Sequence, residues 1–322
     1  MKKVLPVLCL LLLLISCNSN KNKLILKSST GRINAALVVI DNKEWHNVVG
    51  ETLRTIFTNP IEGLPQPESQ LSITQISPSK FNSLFENNRN ILVVGIQSQS
   101  QFKMVRDQYA SPQIIISVIG TNQADLINQI KTHQQAIIEA FKKGDLALYQ
   151  KKLATKTWES NRFAVLKNTE MVLPKEYLKV KDTTNFLWLR KYLNQDGTLN
   201  ILAYKIPLVS KDSVSLSYLI NERNKIGIKH IPGQFINTYM QTAAEMQPSF
   251  KALNVNGLNA FELRGLWEVQ NDFMGGPFIN YTFVDTAHNQ LICLDGFVYA
   301  PNQDKRDYIF ELEAIFKTFK LK

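Results

Sequence analysis

The sequence predicts an α+β fold in two parts behind an N-terminal leader. Residues 33–166 alternate between short apolar stretches and helical periodicity, which indicates an N-terminal α/β layer domain. Residues 167–322 are dominated by strand patterns and end in one amphipathic helix, which indicates an antiparallel sheet with a C-terminal helix. The roughly 305 residues after the leader are enough for two core-forming domains.

Residues 1–16 have the features of a secretory signal peptide. Lys2 and Lys3 precede an apolar run of roughly 11 residues, whereas a membrane-spanning helix needs about 20. The segment Leu14-Ile15-Ser16-Cys17 resembles a bacterial lipobox, in which the cysteine is acylated and becomes the first mature residue. An ordinary signal peptide with an unmodified cysteine is the alternative. We expect Cys17 to be lipidated and residues 17–32, which lack acidic side chains, to be a lipidated tether.

Cysteine usage and charge narrow the classes of function. With Cys9 removed and Cys17 acylated, Cys293 has no partner for an intramolecular disulfide. The net charge is +10, and 11 basic against 5 acidic residues lie between Lys131 and Lys181. Export excludes nucleic acid as a partner, so this basic segment fits lipid phosphates, lipopolysaccharide or acidic glycans. A solvated helix face that favours solubility is the alternative.

The N-terminal part predicts strands and helices in alternation. Strands are expected at residues 33–40, 71–76, 91–95 and 113–119. Asp41 and Glu44 resemble a capping box before a helical stripe that reaches Phe57, and Ser77-Pro78 starts a second helix. A long helix begins at Asn122 and continues toward Leu166. The segment GLPQPES, at residues 63–69, is a loop because its proline density excludes regular structure.

The C-terminal part predicts an antiparallel sheet. Strands are expected at residues 177–181, 185–192, 199–206, 260–269, 278–285 and 291–299. Turn signals at Asp196-Gly197 and Asn256-Gly257 separate some of them. Asp304 can cap a final helix whose apolar side reaches Phe319.

Catalytic, nucleotide-binding and metal-binding motifs are missing from the sequence. It contains no GxxxxGK[ST], GxGxxG, HExxH, GxSxG or CxxC, and its four histidines are far apart. SxxK occurs twice, a frequency expected by chance, and the SDN and KTG motifs that would accompany it are missing. We therefore expect no cofactor and no metal, and a binding role rather than an enzymatic one.

One polar constellation stands out in the C-terminal strands. Alternation along FELRGLWEV and the next two strands places six polar side chains on one predicted sheet face: Glu262, Arg264, Glu268, Asn280, Cys293 and Asp295. Such a face can bind a ligand or perform acid/base chemistry. The alternative is a polar face that meets water or docks onto the other domain.

The loop at residues 272–278 is a second candidate. Gly275 and Gly276 permit positive φ and close approach of a ligand, and Phe273 and Met274 are possible recognition groups. The alternative is a connecting loop with unusual backbone conformations whose apolar residues cover the core.

The segments TGRINAALVVIDNKEWHNVVGETLR, GLPQPE, NRNILVV and RGLWEVQNDFMGGPFINYTF resemble a Bacteroidota lipoprotein family classed as domain of unknown function 4837. The resemblance covers nearly the whole mature chain and implies no assigned activity or catalytic residue. The strand-rich half with its terminal helix is also weakly similar in architecture to the Mog1/PsbP-like fold.

This resemblance implies two further properties. Surface-exported lipoproteins of these bacteria carry acids soon after the lipidated cysteine, but here the first acid is Asp41, which favours an outer-membrane anchor facing the periplasm. These bacteria also O-glycosylate triplets in which Asp is followed by Ser or Thr and then by an aliphatic residue or Thr. The matching acceptors in this chain are Thr183, Ser213 and Thr286.

The sequence therefore predicts a membrane-anchored envelope lipoprotein that acts as a non-enzymatic binding or assembly module. Its expected partners are the membrane, through the N-terminal lipid, and an envelope protein or an anionic glycan or lipid. The alternative is an envelope hydrolase that uses the carboxylates of Glu262, Glu268 and Asp295.

Overall fold

The computed structural model describes residues 26–194, 196–208 and 214–322, and it confirms the mixed α+β class. Its helices are α1 (Asn42–Trp45), α2 (Val48–Phe57), α3 (Ser83–Glu86), α4 (Gln123–Leu153), α5 (Leu216–His230) and α6 (Arg306–Phe316). The strands of the first half are β1 (Lys27–Ser28), β2 (Ala35–Val39), β3 (Ser72–Ile76), β4 (Asn90–Ile96), β5 (Gln101–Arg106), β6 (Ala110–Ser111) and β7 (Ile114–Gly120). Those of the second half are β8 (Thr157–Trp158), β9 (Thr169–Glu170), β10 (Leu173–Pro174), β11 (Leu178–Asp182), β12 (Phe186–Tyr192), β13 (Thr198–Pro207), β14 (Met240–Thr242), β15 (Ser249–Val255), β16 (Leu258–Val269), β17 (Gly275–Asp285), β18 (Gln290–Tyr299) and β19 (Lys320–Leu321).

The N-terminal sheet is mostly parallel. Its order is β3-β2-β4-β7-β5, and only the edge strand β5 runs antiparallel to its neighbour. The helices α2 and α4 cover one face with apolar side chains such as Leu53, Leu126 and Phe141. The other face carries a smaller cover that includes Phe81 and Phe85. The sheet is therefore buried on both sides, as parallel sheets require.

The predicted single helical stripe before Phe57 is two helices. The Asp41 side chain accepts from the N–H of Lys43 and caps α1, and the Asn47 side chain accepts from the N–H of Val49 and caps α2. Because an N-cap residue has extended rather than helical backbone, Asn47 interrupts the first helix and starts a second one.

The C-terminal sheet is entirely antiparallel. Seven of its strands follow the order β11-β12-β13-β18-β17-β16-β14, and β15 pairs beside β14 along the same edge of β16. The helix α6 covers one face, where Leu312 and Phe316 join the core that contains Tyr281 and Leu294. The helix α5 covers the opposite face, where Leu219 joins the core that contains Trp267, Phe278 and Phe297. This sheet, too, is buried on both faces.

The long helix α4 joins the two domains. It has 31 residues and therefore extends about 46 Å, well past the N-terminal sheet. The predicted continuation toward Leu166 is wrong, because α4 ends at Leu153 and short 3₁₀ turns follow. Phe163 and Val165 already pack into the C-terminal core.

A buried polar network fixes α4 to both domains. The carboxylate of Asp145, which is 0% exposed, accepts from the N–H of Asn34 at 2.7 Å, Arg89 Nε at 2.5 Å and Asn90 Nδ2 at 3.1 Å. Asn34 Nδ2 then donates to Asp307 Oδ1 of α6 at 3.0 Å. The Asp145 carboxylate thus connects α4 to the start of two central strands, and the Asn34 side chain extends the network to the C-terminal helix.

The loop that the sequence predicts at residues 63–69 completes the contact between the domains. Leu64 lies in the C-terminal core. The carboxylate of Glu68 accepts from the N–H of Lys305 at 2.7 Å and from the N–H of Arg306 at 2.8 Å. The cap residue Lys305 makes no side-chain cap bond of its own, so Glu68 caps α6 from the other domain and places negative charge at its N-terminus.

Replacing Glu68 by alanine is expected to lower the free energy of unfolding by about 1–2 kcal/mol, because two helix N–H groups lose their acceptor and the helix dipole loses a charge. Urea denaturation measures the change. Glu68→Gln, which keeps one acceptor oxygen, should lose less than Glu68→Ala. A stability of Glu68→Ala equal to that of the wild type would contradict the capping role.

Candidate functional site

The structure divides the predicted polar sheet face between the two sides of the sheet. Leu263 pairs with Asn280, and Asn280 pairs with Asp295, so Asn280 and Asp295 share the face beneath α5. Glu262 pairs with Tyr281 and lies on the α6 side. Directly paired residues point to the same face, so the expected single constellation is wrong in its geometry.

On the α6 side, Arg264 is held between two carboxylates. Its guanidinium contacts Glu262 Oε1 at 2.8 Å and Glu313 Oε2 at 2.8 Å, and Lys317 also pairs with Glu313. Burial favours the neutral carboxyls, but the Arg264 guanidinium holds the pKa of Glu262 below its usual value and, with Lys317, the pKa of Glu313 at about 2. Both carboxyls are therefore ionised at neutral pH.

On the α5 side, Asp295 is fully buried with Arg223. Arg223 donates from Nε to Asp295 Oδ2 at 2.8 Å and from Nη2 to Oδ1 at 3.3 Å. Asn280 Nδ2 donates to the same carboxylate at 3.0 Å. Burial raises the pKa of the Cys293 thiol to about 12, which removes it as a nucleophile at neutral pH. This cluster is sealed beneath α5, where substrate has no access.

The remaining predicted ligand residues lie elsewhere. Glu268 accepts from Gln241 Nε2 at 2.8 Å near the β14 edge. Neither Gly275 nor Gly276 has a positive φ. A Cβ on Gly276 would lie 2.1 Å from the carbonyl oxygen of Val298, so this glycine permits close strand packing instead of ligand approach.

The predicted modification sites are only partly described. Thr183 and Thr286 are exposed at the ends of strands β11 and β17. Ser213 and the predicted lipidation site Cys17 lie outside the described residues. Glycosylation of the two threonines remains a prediction.

A cavity of about 1090 Å³ lies in a cleft between the two domains. The N-terminal wall comes from α4 and from the segment around residues 59–70, and the C-terminal wall from β15, β16 and α6. Of the predicted ligand residues, Glu262 and Arg264 line this cleft.

Polar side chains of three kinds line the cleft. Six are basic: Lys142, Lys143, Lys251, Arg264, Arg306 and Lys317. Four are acidic: Glu62, Glu139, Glu262 and Glu313. Seven are amides: Asn34, Asn59, Gln70, Gln135, Gln150, Asn254 and Asn256. The lining therefore has excess positive charge together with many groups that both donate and accept hydrogen bonds.

Lys142 is a half-buried cation of the cleft that lies apart from the ion pairs of Arg264, Arg306 and Lys317. Its ammonium donates to Gln70 Oε1 at 3.3 Å, and no ion pair to Lys142 is found in the described part of the chain. Burial lowers the pKa of Lys142, and the nearby Arg264, Lys317 and Arg306 lower it further, against the opposing effect of Glu313. An anion bound beside this ammonium would relieve both effects.

Sequence patterns missed the cleft because its residues come from five separate segments. The basic segment after Lys131 pointed to Lys142 and Lys143, but the amides carried no pattern of their own. Among residues 26–194, 196–208 and 214–322 we find no cluster of histidine, cysteine and acidic side chains suited to a metal ion. No helix in those ranges is long and apolar enough to cross a membrane.

Solved structures with some likeness cover about half of this chain. LpqN of Mycobacterium tuberculosis, described as involved in cell envelope biogenesis, shares 12% identity over 48% of this chain and 83% of its own, with a TM-score of 0.30. The Saccharomyces cerevisiae Ran-binding protein Mog1p shares 8% identity over 48% and 90%, with a TM-score of 0.32. TM-scores this low do not allow the function of either protein to be assigned to this chain. No protein of curated function matches the chain.

Two family models match the sequence. Residues 29–154 match a domain of unknown function, DUF8532, and residues 157–318 match a domain of unknown function, DUF4837. The resemblance to DUF4837 that the sequence predicted for nearly the whole mature chain is thereby confined to the C-terminal part. The first match ends and the second begins just after the end of α4. Because the second match spans half of the chain, the protein belongs to the DUF4837 family.

Proposed function

We propose that the protein is a lipid-anchored envelope module that binds an acidic glycan in the cleft between its domains. The observation that carries the proposal is the half-buried ammonium of Lys142, which forms no ion pair with any described residue and lines a cavity of about 1090 Å³. A carboxylate or phosphate on the glycan would supply its counter-charge.

The amide lining favours a glycan over a simple anion. Sugar hydroxyls both donate and accept hydrogen bonds, and amide side chains offer both functions on one planar group. Asn59, Gln135 and Asn254 lie at the cleft together with apolar surface from Leu253 and Phe310. This combination of apolar surface with a few placed polar groups is typical of ligand pockets.

The hydrolase alternative loses its proposed machinery. Glycan hydrolysis by paired carboxylates needs one carboxylic acid that stays protonated near neutral pH. Glu262 instead has a pKa lowered by Arg264, and Asp295 is sealed on the opposite face of the sheet. Glu268 accepts a hydrogen bond from Gln241 near the β14 edge and does not line the cleft. We therefore favour binding without turnover.

The anchor and the location follow the sequence prediction. Acylation of Cys17 would hold the body near the outer membrane on its periplasmic side, because the residues 17–26 that precede β1 reach at most about 36 Å. Cys17→Ser should move the protein from the membrane fraction to the soluble periplasmic fraction. Persistence of the serine variant in the membrane fraction would contradict lipid anchoring at this residue.

An array of acidic and neutral oligosaccharides tests the glycan. We expect binding to acidic members only, a loss of at least tenfold in affinity for Lys142→Met, and little change for Lys143→Met. Lys143 is the matched control because it is an exposed lysine at the rim of the same cleft. Equal binding of neutral and acidic members, or equal losses in the two variants, would contradict the proposal.

A further inference from the structure

A second cavity, of about 430 Å³, lies on another side of α4 and shares no lining residue with the cleft. The end of α4 and the segment after it contribute Lys152 and Lys156. The C-terminal domain contributes Lys175, Glu176 and Lys191. The basic segment recognised in the sequence thus converges on this cavity from both domains.

The charges around this cavity are unbalanced. Lys191 is neutralised by Glu176 at 2.9 Å and by Glu311 at 3.0 Å. Lys152, Lys156 and Lys175 form no ion pair in the part of the chain that the structure describes. Four lysines against the two carboxylates Glu176 and Glu311 leave a net charge of about +2 around the cavity, and the repulsion among the lysines would fall when an anion binds between them.

The backbone fixes two of these lysines next to each other. The N–H of Lys175 donates to the carbonyl oxygen of Lys156 at 3.0 Å, and the adjoining strands β8 and β10 pair through Thr157 and Pro174. The Lys175 ammonium lies 5.7 Å from the centre of the Trp158 ring, which restrains its side chain. The backbone pairing therefore holds Lys156 and Lys175 side by side, and the Trp158 ring restrains the Lys175 side chain.

A buried carboxylate, that of Glu311, lies behind the lining of the cavity. Glu311 accepts from Tyr149 Oη at 2.8 Å, from Tyr177 Oη at 2.8 Å and from Lys191 Nζ at 3.0 Å. The hydrogen-bond partners of Glu311 are therefore groups other than Lys152, Lys156 and Lys175. Glu176 is exposed at the rim of the cavity, where its carboxylate forms an ion pair with Lys191.

From this arrangement we propose that the cavity is a phosphate-binding site, separate from the glycan cleft. Lysine ammonium groups bind phosphate as point charges, and several of them surrounding one cavity fit the multiple oxygens of a phosphate group. The phosphate can belong to a phospholipid headgroup or to a soluble phosphorylated ligand. The site does not depend on what the cleft binds.

Titration of residues 18–322, which include every described residue, with inorganic phosphate at constant ionic strength tests the site. NMR or calorimetry should show saturable binding that falls at least tenfold in Lys156→Gln/Lys175→Gln. The control Lys103→Gln/Lys131→Gln removes the same charge from exposed lysines that line neither cavity, and it should bind as the wild type does. Absence of saturable binding, or equal losses in both double variants, would overturn the proposal.

Vesicles separate the two sources of the phosphate. If phosphatidylglycerol vesicles sediment the wild type but not Lys156→Gln/Lys175→Gln, the site takes a lipid headgroup. If inorganic phosphate binds specifically but the vesicles do not, the site takes a soluble phosphorylated ligand. Both results support a phosphate site, whereas vesicle binding that is unchanged in the double variant, without saturable phosphate binding, would contradict it.

Discussion

Replacing Asp145 by alanine is expected to lower the free energy of unfolding by about 3–5 kcal/mol, because it leaves a buried arginine without its counter-charge. The Arg89 side chain is only 4% exposed and pairs with Asp145 at 2.5 Å. The N–H of Asn34 loses its acceptor as well. Urea denaturation followed by circular dichroism measures the loss.

Two further variants serve as comparisons for Asp145→Ala. Asp145→Asn keeps an acceptor oxygen without the charge and should lose less than Asp145→Ala. Asp304→Ala removes an exposed carboxylate from the loop before α6 and should stay within about 0.5 kcal/mol of the wild type. If Asp145→Ala behaved like Asp304→Ala, the buried pair of Asp145 with Arg89 would not contribute to the stability of the fold.

Replacing Asp295 by alanine should cost a similar amount, about 3–5 kcal/mol, and should loosen the helix α5. Arg223 is 2% exposed and has its guanidinium 3.7 Å from the centre of the Phe278 ring, so it has no path to solvent when its partner is removed. Hydrogen exchange should show weaker protection along α5 in this variant, in addition to the loss seen by denaturation.

The double variant Arg223→Met/Asp295→Ala is the control for this prediction. Removing both charges leaves no unpaired buried ion, so the double variant should be more stable than Asp295→Ala. A double variant that loses the sum of the two single losses would contradict the ion pair as the cause.

Most of the strands were predictable because their pattern is local. The predicted strands at residues 185–192 and 199–206 appear as β12 and β13, within a residue of the expected ends. The strand β5 was missed because it is a largely exposed edge strand without an apolar stripe. The helix α5 was missed because its buried positions include Arg223 and Gly227, which weaken the apolar period.

The candidate site was less predictable because strand register is not local. Alternation correctly divided β17 and β18 into two faces, but it did not fix how β16 pairs with β17. Both faces of the sheet are buried under helices, so apolar residues occur on both sides and give no preference. A slip of one residue moves every side chain to the other face, which is why Glu262 and Asp295 were placed together.

The interdomain cleft depends on how the two domains pack against each other, which local sequence patterns do not predict. Its walls require the docking of α6 under the Glu68 cap and the reach of α4 beyond its own sheet. Lys142 was recognised as part of a basic segment, but its burial follows only from that docking.

Native mass spectrometry of the protein isolated from its own envelope tests the ligand cleft most directly. We predict that the wild type and Lys143→Met carry a non-covalent acidic glycan that is lost from Lys142→Met, while circular dichroism shows the same fold for all three. A ligand retained equally by Lys142→Met and Lys143→Met, or one without an acidic group, would contradict the account.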